Sequence, residues 1–335
     1  MNPTRSESIT VLGAGSWGTA LALLLAANGL HVTLWGRNEA AMKSMAQARE
    51  NTRYLPDVSF PANLVPTCDF TAAVRGRDAF LVVVPSHAFP EILRGIATHA
   101  ADSISVVWGT KGLAPDSGRL LHEVAGEILG AAATLGVISG PSFAREVARG
   151  QPAALTLAAA SIDRAEQMSA WFRSDTVRIY PSDDIAGVQL GGAIKNVMAI
   201  ATGISDGLEL GANSRAALIT RGLAEMNRLG RALGGRIETF MGLTGVGDLI
   251  LTCTDDQSRN RRVGLGIGRG YPLDQVLADI GQEAEGVSAT REVLRRARQL
   301  GVEMPITQQV YRVLFEGCDP QDAVRALLTR EPARE

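Results

Sequence analysis

Apolar and polar positions follow two different rhythms along this chain. Near the start, ITVL at residues 9–12 is a short apolar run, GAGSWG fills 13–18, and TALALLLAANG continues with helical periodicity to a glycine stop at Gly29. HVTLWG at 31–36 then supplies a second strand, and AFLVVVPS and SISVVWGTKG two more buried-strand runs, each ending in small or polar residues. From Ser182 onward the pattern becomes long helical stretches with glycine punctuation, and Ser182, Asp183 and Asp184 stand ahead of Ile185 as capping candidates. The pattern predicts an α/β chain: an N-terminal doubly wound sheet of the dinucleotide-binding (Rossmann) type over 1–188, then an all-α domain over 189–335.

Composition narrows the chemistry. A chain of 335 residues with 46% hydrophobic content can bury two cores. A net charge of -2 and a pI near 6.2 give no global positive field, so no nucleic acid and no anionic membrane surface is expected as a partner. Cys68, Cys253 and Cys318 form no CxxC pair and read as free thiols of a reducing compartment. No apolar signal segment and no stretch of about 18 uncharged residues is read, so a cytoplasmic protein without a membrane span is expected, and no metal.

The first half carries a phosphate cradle. In GAGSWG, Gly13 permits a tight turn, Gly15 lets a pyrophosphate approach backbone N–H groups at the helix N-terminus, and Gly18 lets that helix pack on the strand. The second strand ends Gly36, Arg37, Asn38, where an NAD-selective fold usually places a carboxylate against the ribose 2'-hydroxyl. Arg37 can pair with a 2'-phosphate or lie on the adenine, so NADP as well as NAD is expected.

The second half must supply the proton chemistry without histidine, because His31, His87, His99 and His122 all precede it. Only Lys43, Lys111 and Lys195 are lysines. Lys195, in GGAIKNVMAI, has Gly191 and Gly192 one turn before it, leaving space, and Met198 and Ala199 one turn after. An amine held there loses hydration, its pKa falls, and it can donate a proton as arginine could not. GTKGL places Lys111 just past the C-terminal end of a strand, where open α/β sheets bind ligands. LTGVGDLILTCTDDQSRNRR sets Asp248, a ligand or a helix cap, between glycines and a cationic cluster, in which Ser258, Arg259 and Asn260 offer hydroxyl, guanidinium and amide donors that suit a phosphate. Arg261 and Arg262 read as solvent-facing charge.

These stretches, together with NTRYLPD, VPSHAF, SGPSFAREVARGQPAA and LGGAIKNVMAIATGISDGLELGANSRAALITRGLAEM, closely resemble bacterial NAD(P)-dependent glycerol-3-phosphate dehydrogenases over nearly the whole chain. The resemblance implies reversible reduction of dihydroxyacetone phosphate to sn-glycerol 3-phosphate, the backbone precursor of phospholipids, and a homodimer. It assigns Ser16, Trp17, Arg37, Ala144 and Glu285 to the cofactor, with Lys111 and Arg259 near it. Substrate contacts fall to Lys111, Gly140, Ser142, Asp248, Ser258, Arg259 and Asn260, and Lys195 matches the proton acceptor of the oxidation direction, hence the donor in reduction. One segment departs from the pattern: where the family commonly has an apolar pair before Glu-Gly, this chain has Glu283 and Ala284 before Glu285 and Gly286. Two other readings share the outline. A 3-hydroxyacid or ketopantoate type reductase would take a carboxylate substrate, against which the Ser258–Asn260 triplet argues; a non-catalytic NADP sensor would not need both lysines.

Overall fold

The computed structural model describes residues 7–330. The chain divides into two compact units, the first made of the described residues up to Thr110 with Leu121–Val188, the second of Lys111–Leu120 and the described residues from Gln189 onward. The short segment Lys111–Leu120, which the sequence reading leaves with the N-terminal half, thus groups with the second unit.

The strands of the first unit are β1 (Ser8–Leu12), β2 (His31–Trp35), β3 (Glu50–Asn51), β4 (Leu55–Ser59), β5 (Leu64–Thr67), β6 (Ala79–Val82), β7 (Ser105–Trp108), β8 (Thr134–Ser139), β9 (Ala153–Ala159) and β10 (Val177–Ser182). Eight of them form one sheet in the order β10-β9-β8-β7-β6-β1-β2-β5, while β3 and β4 make a small antiparallel pair. Every step across the sheet is parallel except β8 to β9. The chain moves outward from β1 to β2 and β5, then returns to β6 on the other side of β1, so the direction of winding switches between β1 and β6. Leu12 is in register with both Trp35 and Val82, and the chain therefore leaves β1 at a level where both neighbours end. Open α/β sheets bind ligands at such a switch.

Val11, Leu12, Phe80, Leu81 and Val82 are fully buried, which is why these strands read as continuous apolar runs instead of alternating ones. The helix Ser16–Ala27 is buried from Gly18 to Ala26. It ends as the sequence predicts, with Gly29 at a left-handed φ of +87° just past the last turn.

The second unit is helical among its described residues. Its longest helices are Ile185–Gly207, Gly211–Ala232 and Glu285–Gln299, and the helices Asp248–Thr254 and Arg259–Gly268 carry the motif residues. Asp184 Oδ1 accepts the Gly187 N–H at 2.8 Å, so one of the three predicted caps starts the first of these helices. Ile185–Gly207 alone among the described helices is long and apolar enough to cross a membrane, and 89% of its apolar window is buried inside the protein.

Ile185–Gly207 meets Arg259–Gly268 backbone to backbone. A Cβ on Gly203 would stand 2.2 Å from the Arg261 carbonyl oxygen, and one on Gly264 2.1 Å from the Ile200 carbonyl. Gly207 and Gly268 repeat the arrangement a turn further on, at 2.6 Å from the Leu265 carbonyl and 2.4 Å from the Ile204 carbonyl. Small residues four apart on both helices are what permits such an approach, and the seam fixes the height of Arg259 relative to Lys195. Gly264→Ala tests it: overpacking costs about 1–3 kcal/mol, while alanine recovers about 1 kcal/mol in helix propensity. The opposing atoms are main chain and cannot rotate away, so we expect a net destabilisation of about 2 kcal/mol, read as a lower urea midpoint at unchanged slope.

Candidate active site

The glycine turn after β1 is built as its sequence requires. Gly13 has φ +122°, and a Cβ there would lie 2.3 Å from the Val83 carbonyl oxygen; one on Gly18 would lie 1.8 Å from the Gly13 carbonyl. A Cβ on Gly15 would meet nothing within 4 Å, so that position opens outward. The helix it starts has no side-chain cap and no acidic residue in its first turn, so its positive dipole end suits an anion. Trp17 Nε1 is buried without a hydrogen-bond partner and lies against Gly109, and Arg37 is exposed beyond β2, while Asn38 caps the next helix through Ala41 N at 2.9 Å. Gly140, at φ +145°, ends β8, its carbonyl accepts from Ser142 Oγ at 3.0 Å, and Ala144 opens the short helix Ala144–Ala148. An uncapped helix start, an open glycine and an orphaned indole N–H fit a dinucleotide.

Sequence reasoning missed the brace of this turn. Asn51, fully buried on β3, donates from Nδ2 to the Ala14 carbonyl at 3.0 Å and to Thr19 Oγ1 at 2.8 Å. Its only signal is its place in NTRYLPD, a segment with no chemistry of its own.

In the second unit the residues meet around Asp248. This aspartate opens the helix Asp248–Thr254 after a π-helical turn, Leu243–Gly247; its side chain is 0% accessible and makes no capping bond. Lys111 Nζ donates to Oδ2 at 3.2 Å, and Lys195 Nζ donates to Oδ1. Lys195 also donates to Thr252 Oγ1 at 3.0 Å, so Thr252, one turn along the aspartate's helix, is a second residue the sequence reading missed, although its i+4 spacing from Asp248 marks it. Gly191 leaves no empty space beside Lys195, contrary to expectation. A Cβ on it would be 2.2 Å from the Thr244 carbonyl, and the gap is filled by the main chain that delivers Asp248.

The two amines are held unequally. Burial, helped by the Lys111 cation, outweighs the attraction of Asp248 and brings Lys195 down to about 7. Burial also pulls on Lys111, but Asp248, the Lys195 amine and Glu285 more than offset it, so Lys111 is held above its ordinary range. The cluster therefore joins one permanent cation to one amine that titrates near neutrality, both fixed by one anion.

Ser258, Arg259 and Asn260 stand at the start of the helix Arg259–Gly268. Ser258 is its N-cap, accepting the Arg261 N–H at 3.2 Å, and Asn260 Oδ1 accepts the Gly286 N–H at 2.9 Å, which turns its amide N–H donors away from Gly286. Arg259 is half-buried. Burial pushes Glu285 up to about 7 against the pull of Arg259, Lys111 and Lys195, and the neighbouring Glu283 pushes the same way, which is the local consequence of this chain's departure. Arg262 is exposed as expected. Arg261 is not: it is 8% accessible, donates to Asp206 and, from Nε, to Asp256 at 2.9 Å. Consecutive arginines on a helix point about 100° apart, and the first of this pair faces inward where an acidic residue of another helix awaits it.

A dinucleotide-binding sheet and a buried lysine that titrates near neutrality define the class of nicotinamide-dependent oxidoreductases. Residues 8–165 match the model of the NAD-dependent glycerol-3-phosphate dehydrogenase N-terminus and residues 184–325 that of its C-terminus. A glycerol-3-phosphate dehydrogenase [NAD(P)+] of Thioalkalivibrio sulfidiphilus is 57% identical over 327 residues, 98% of each chain, and that of Pseudoalteromonas translucida 52% identical over 99% of each. The crystal structure of glycerol-3-phosphate dehydrogenase from Coxiella burnetii superposes with a TM-score of 0.94 at 48% identity, covering 96% of this chain and 99% of that one. This chain belongs to the NAD-dependent glycerol-3-phosphate dehydrogenase family and is an NAD(P)-dependent oxidoreductase. The carboxylate-reductase alternative is correspondingly less supported.

Asp248→Asn tests the cluster. Removing one partner of a buried ion pair costs about 3–5 kcal/mol. Lys195 then falls further below its unfolded value near 10.4 and Lys111 loses the attraction that holds it above that value, so the unfolded chain binds more protons than the variant's folded state and stability rises with pH. We expect a deficit relative to the parent that is largest near pH 6 and shrinks towards about pH 9 in thermal midpoints; a deficit of constant size would mean that the carboxylate does not hold these charges.

Proposed function

We propose that this enzyme reduces dihydroxyacetone phosphate reversibly to sn-glycerol 3-phosphate, with Lys195 as proton donor in that direction and acceptor in the other. The observation that carries the reading is the hydrogen bonding of the Lys195 amine. Two of its N–H groups are taken by Asp248 and Thr252, and a protonated amine has a third to give. When bound, a reduced nicotinamide supplies hydride to the substrate's carbonyl carbon. Lys195 supplies the proton to the carbonyl oxygen as charge develops there, and Asp248 keeps the amine oriented throughout. Lys111, cationic across the working range, stabilises the developing negative charge without titrating. Ser258, Arg259 and Asn260 recognise the phosphate, Gly140 and Ser142 complete the substrate contacts, and Gly13, Gly15, Ser16, Trp17, Gly18, Arg37, Ala144, Arg259 and Glu285 hold the cofactor, with Lys111 near it.

The product feeds glycerophospholipid synthesis, and the enzyme works in the cytoplasm as a homodimer. Three unpaired thiols support the reducing compartment. Self-association is supported by Leu210, Ile237 and Leu328, 41%, 45% and 80% exposed around an open cavity of about 1100 Å³ in the second unit, which contains none of the proposed catalytic residues.

Two experiments bear on the assignment. An amine titrating at about 7 is a proton donor below that pH and an acceptor above it, so turnover in reduction should fall, and in oxidation rise, as pH climbs through about 7. Lys195→Arg keeps the cation without a transferable proton, and about 100 to 10,000-fold of turnover should be lost in both directions while cofactor affinity barely changes. Near-parental turnover in that variant would pass the acid role to Lys111. The phosphate is tested by Arg259→Lys, which exchanges a fork of donors for a point charge. The Michaelis constant for dihydroxyacetone phosphate should rise by about one to two decades, the equivalent of a charged hydrogen bond, while phosphate-free dihydroxyacetone, a poor substrate of the parent, should respond far less. Equal turnover of the two substrates by the parent would favour the carboxylate-substrate reading.

A further inference from the structure

Arg261 is the residue whose position is least expected, and it joins elements that matter. Its guanidinium binds Asp206 and Asp256, its backbone N–H is held by the Ser258 hydroxyl, and its carbonyl oxygen lies on Gly203 in the helix seam. Asp206 is itself nearly buried, at 10% side-chain accessibility, and accepts a second guanidinium, Arg215, at 2.9 Å. Asp206 also lies about three helical turns from Lys195 and on nearly the same face of that helix. The proton donor and the carboxylate that grips Arg261 are thus parts of one rigid rod.

We propose that Arg261 is a positioning residue for phosphate recognition: clamped by Asp206 and Asp256, it fixes the first turn of the helix Arg259–Gly268, so that Arg259 and Asn260 present their donors at a set distance from Lys195. The inference rests on the phosphate reading above and extends it from the groups that touch the phosphate to the group that holds them in place. Consecutive residues of one turn share a backbone, so a pinned Arg261 transmits its constraint to Arg259 directly. A guanidinium this buried is costly unless paired, and it is paired with a carboxylate on the helix whose height matters. The glycine seam sets how closely the two helices approach; the Arg261–Asp206 pair sets how far one is shifted along the other.

The test uses the intact enzyme with two variants, Arg261→Gln and Arg261→Lys, and inorganic phosphate as a competitive probe against dihydroxyacetone phosphate. Expected for Arg261→Gln is a rise of about tenfold in both the Michaelis constant of the phosphorylated substrate and the inhibition constant of inorganic phosphate, the scale of one weakened charged hydrogen bond. Turnover at saturation and its pH midpoint should change far less, because Lys195 and Asp248 are untouched. Lysine keeps one ion pair of the two and should fall between parent and glutamine. If Arg261→Gln does not fold, the lysine variant decides alone. Asp206→Asn should not add fully to Arg261→Gln, since both break one contact. Unchanged phosphate constants in the Arg261 variants would overturn the proposal, as would an equal loss with dihydroxyacetone and its phosphate. A parent enzyme without preference for the phosphorylated substrate would instead overturn the phosphate reading itself, so the two failures are distinct.

Discussion

Asp248 is a carboxylate with no access to water and two ammonium groups within reach, and the chemistry of the second unit depends on that arrangement. An isolated buried carboxylate is too costly to persist in charged form. Here each oxygen takes a different lysine, and the amino-terminal end of its own helix adds a favourable dipole. The lysines are equally dependent on it. Neither could remain in so apolar a setting as a cation without a partner, and one anion shared between two cations leaves the pair a proton in excess. That excess is what a proton donor requires.

The cluster is assembled by main chain approaching main chain. Gly191 admits the turn that delivers Asp248, Gly245 lets that turn fold against Phe240, and the four glycines of the seam bring the Arg259 helix onto the Lys195 helix. Side chains at these contacts would have placed flexible groups between the elements, and flexible groups transmit position poorly. Backbone contacts are short and stiff, so the separation between proton donor and phosphate donors is set by atoms that cannot change rotamer. Gly286 extends the same construction: a Cβ there would lie 2.7 Å from the Asn196 carbonyl and 2.8 Å from Asn260 Oδ1, so Glu285 is seated against both helices.

Much of this was legible in the sequence where local pattern and chemistry coincide. The strand, glycine turn and helix at the start could be read because each glycine answers a local steric demand, and Lys195 stood out as an amine in an apolar helix without histidine nearby. What escaped depends on contacts distant in sequence. Asn51 braces the glycine turn from a strand of its own, and nothing in NTRYLPD announces that its partner lies near residue 14. Gly191 reads in sequence as open space beside Lys195, but its neighbour is a backbone about fifty residues away and not a cavity. Arg261 was misjudged because adjacent arginines look alike in sequence, while a helix sends them in different directions. The partners that make the inner one buried, Asp206 and Asp256, are ordinary acidic residues until the seam brings one of them close.

The unequal lysines follow from the same geometry. A fall from 10.5 to about 7 at Lys195 corresponds to roughly 5 kcal/mol of preference for the neutral amine. Burial is the largest cause of that fall, the attraction of Asp248 opposes it, and the charge of Lys111 adds to it. An arginine could supply the fixed cation but not the transferable proton. The pair separates the two duties. Lys111, held above its ordinary range, keeps the site positive, and in doing so it lowers the affinity of Lys195 for the proton it must give up.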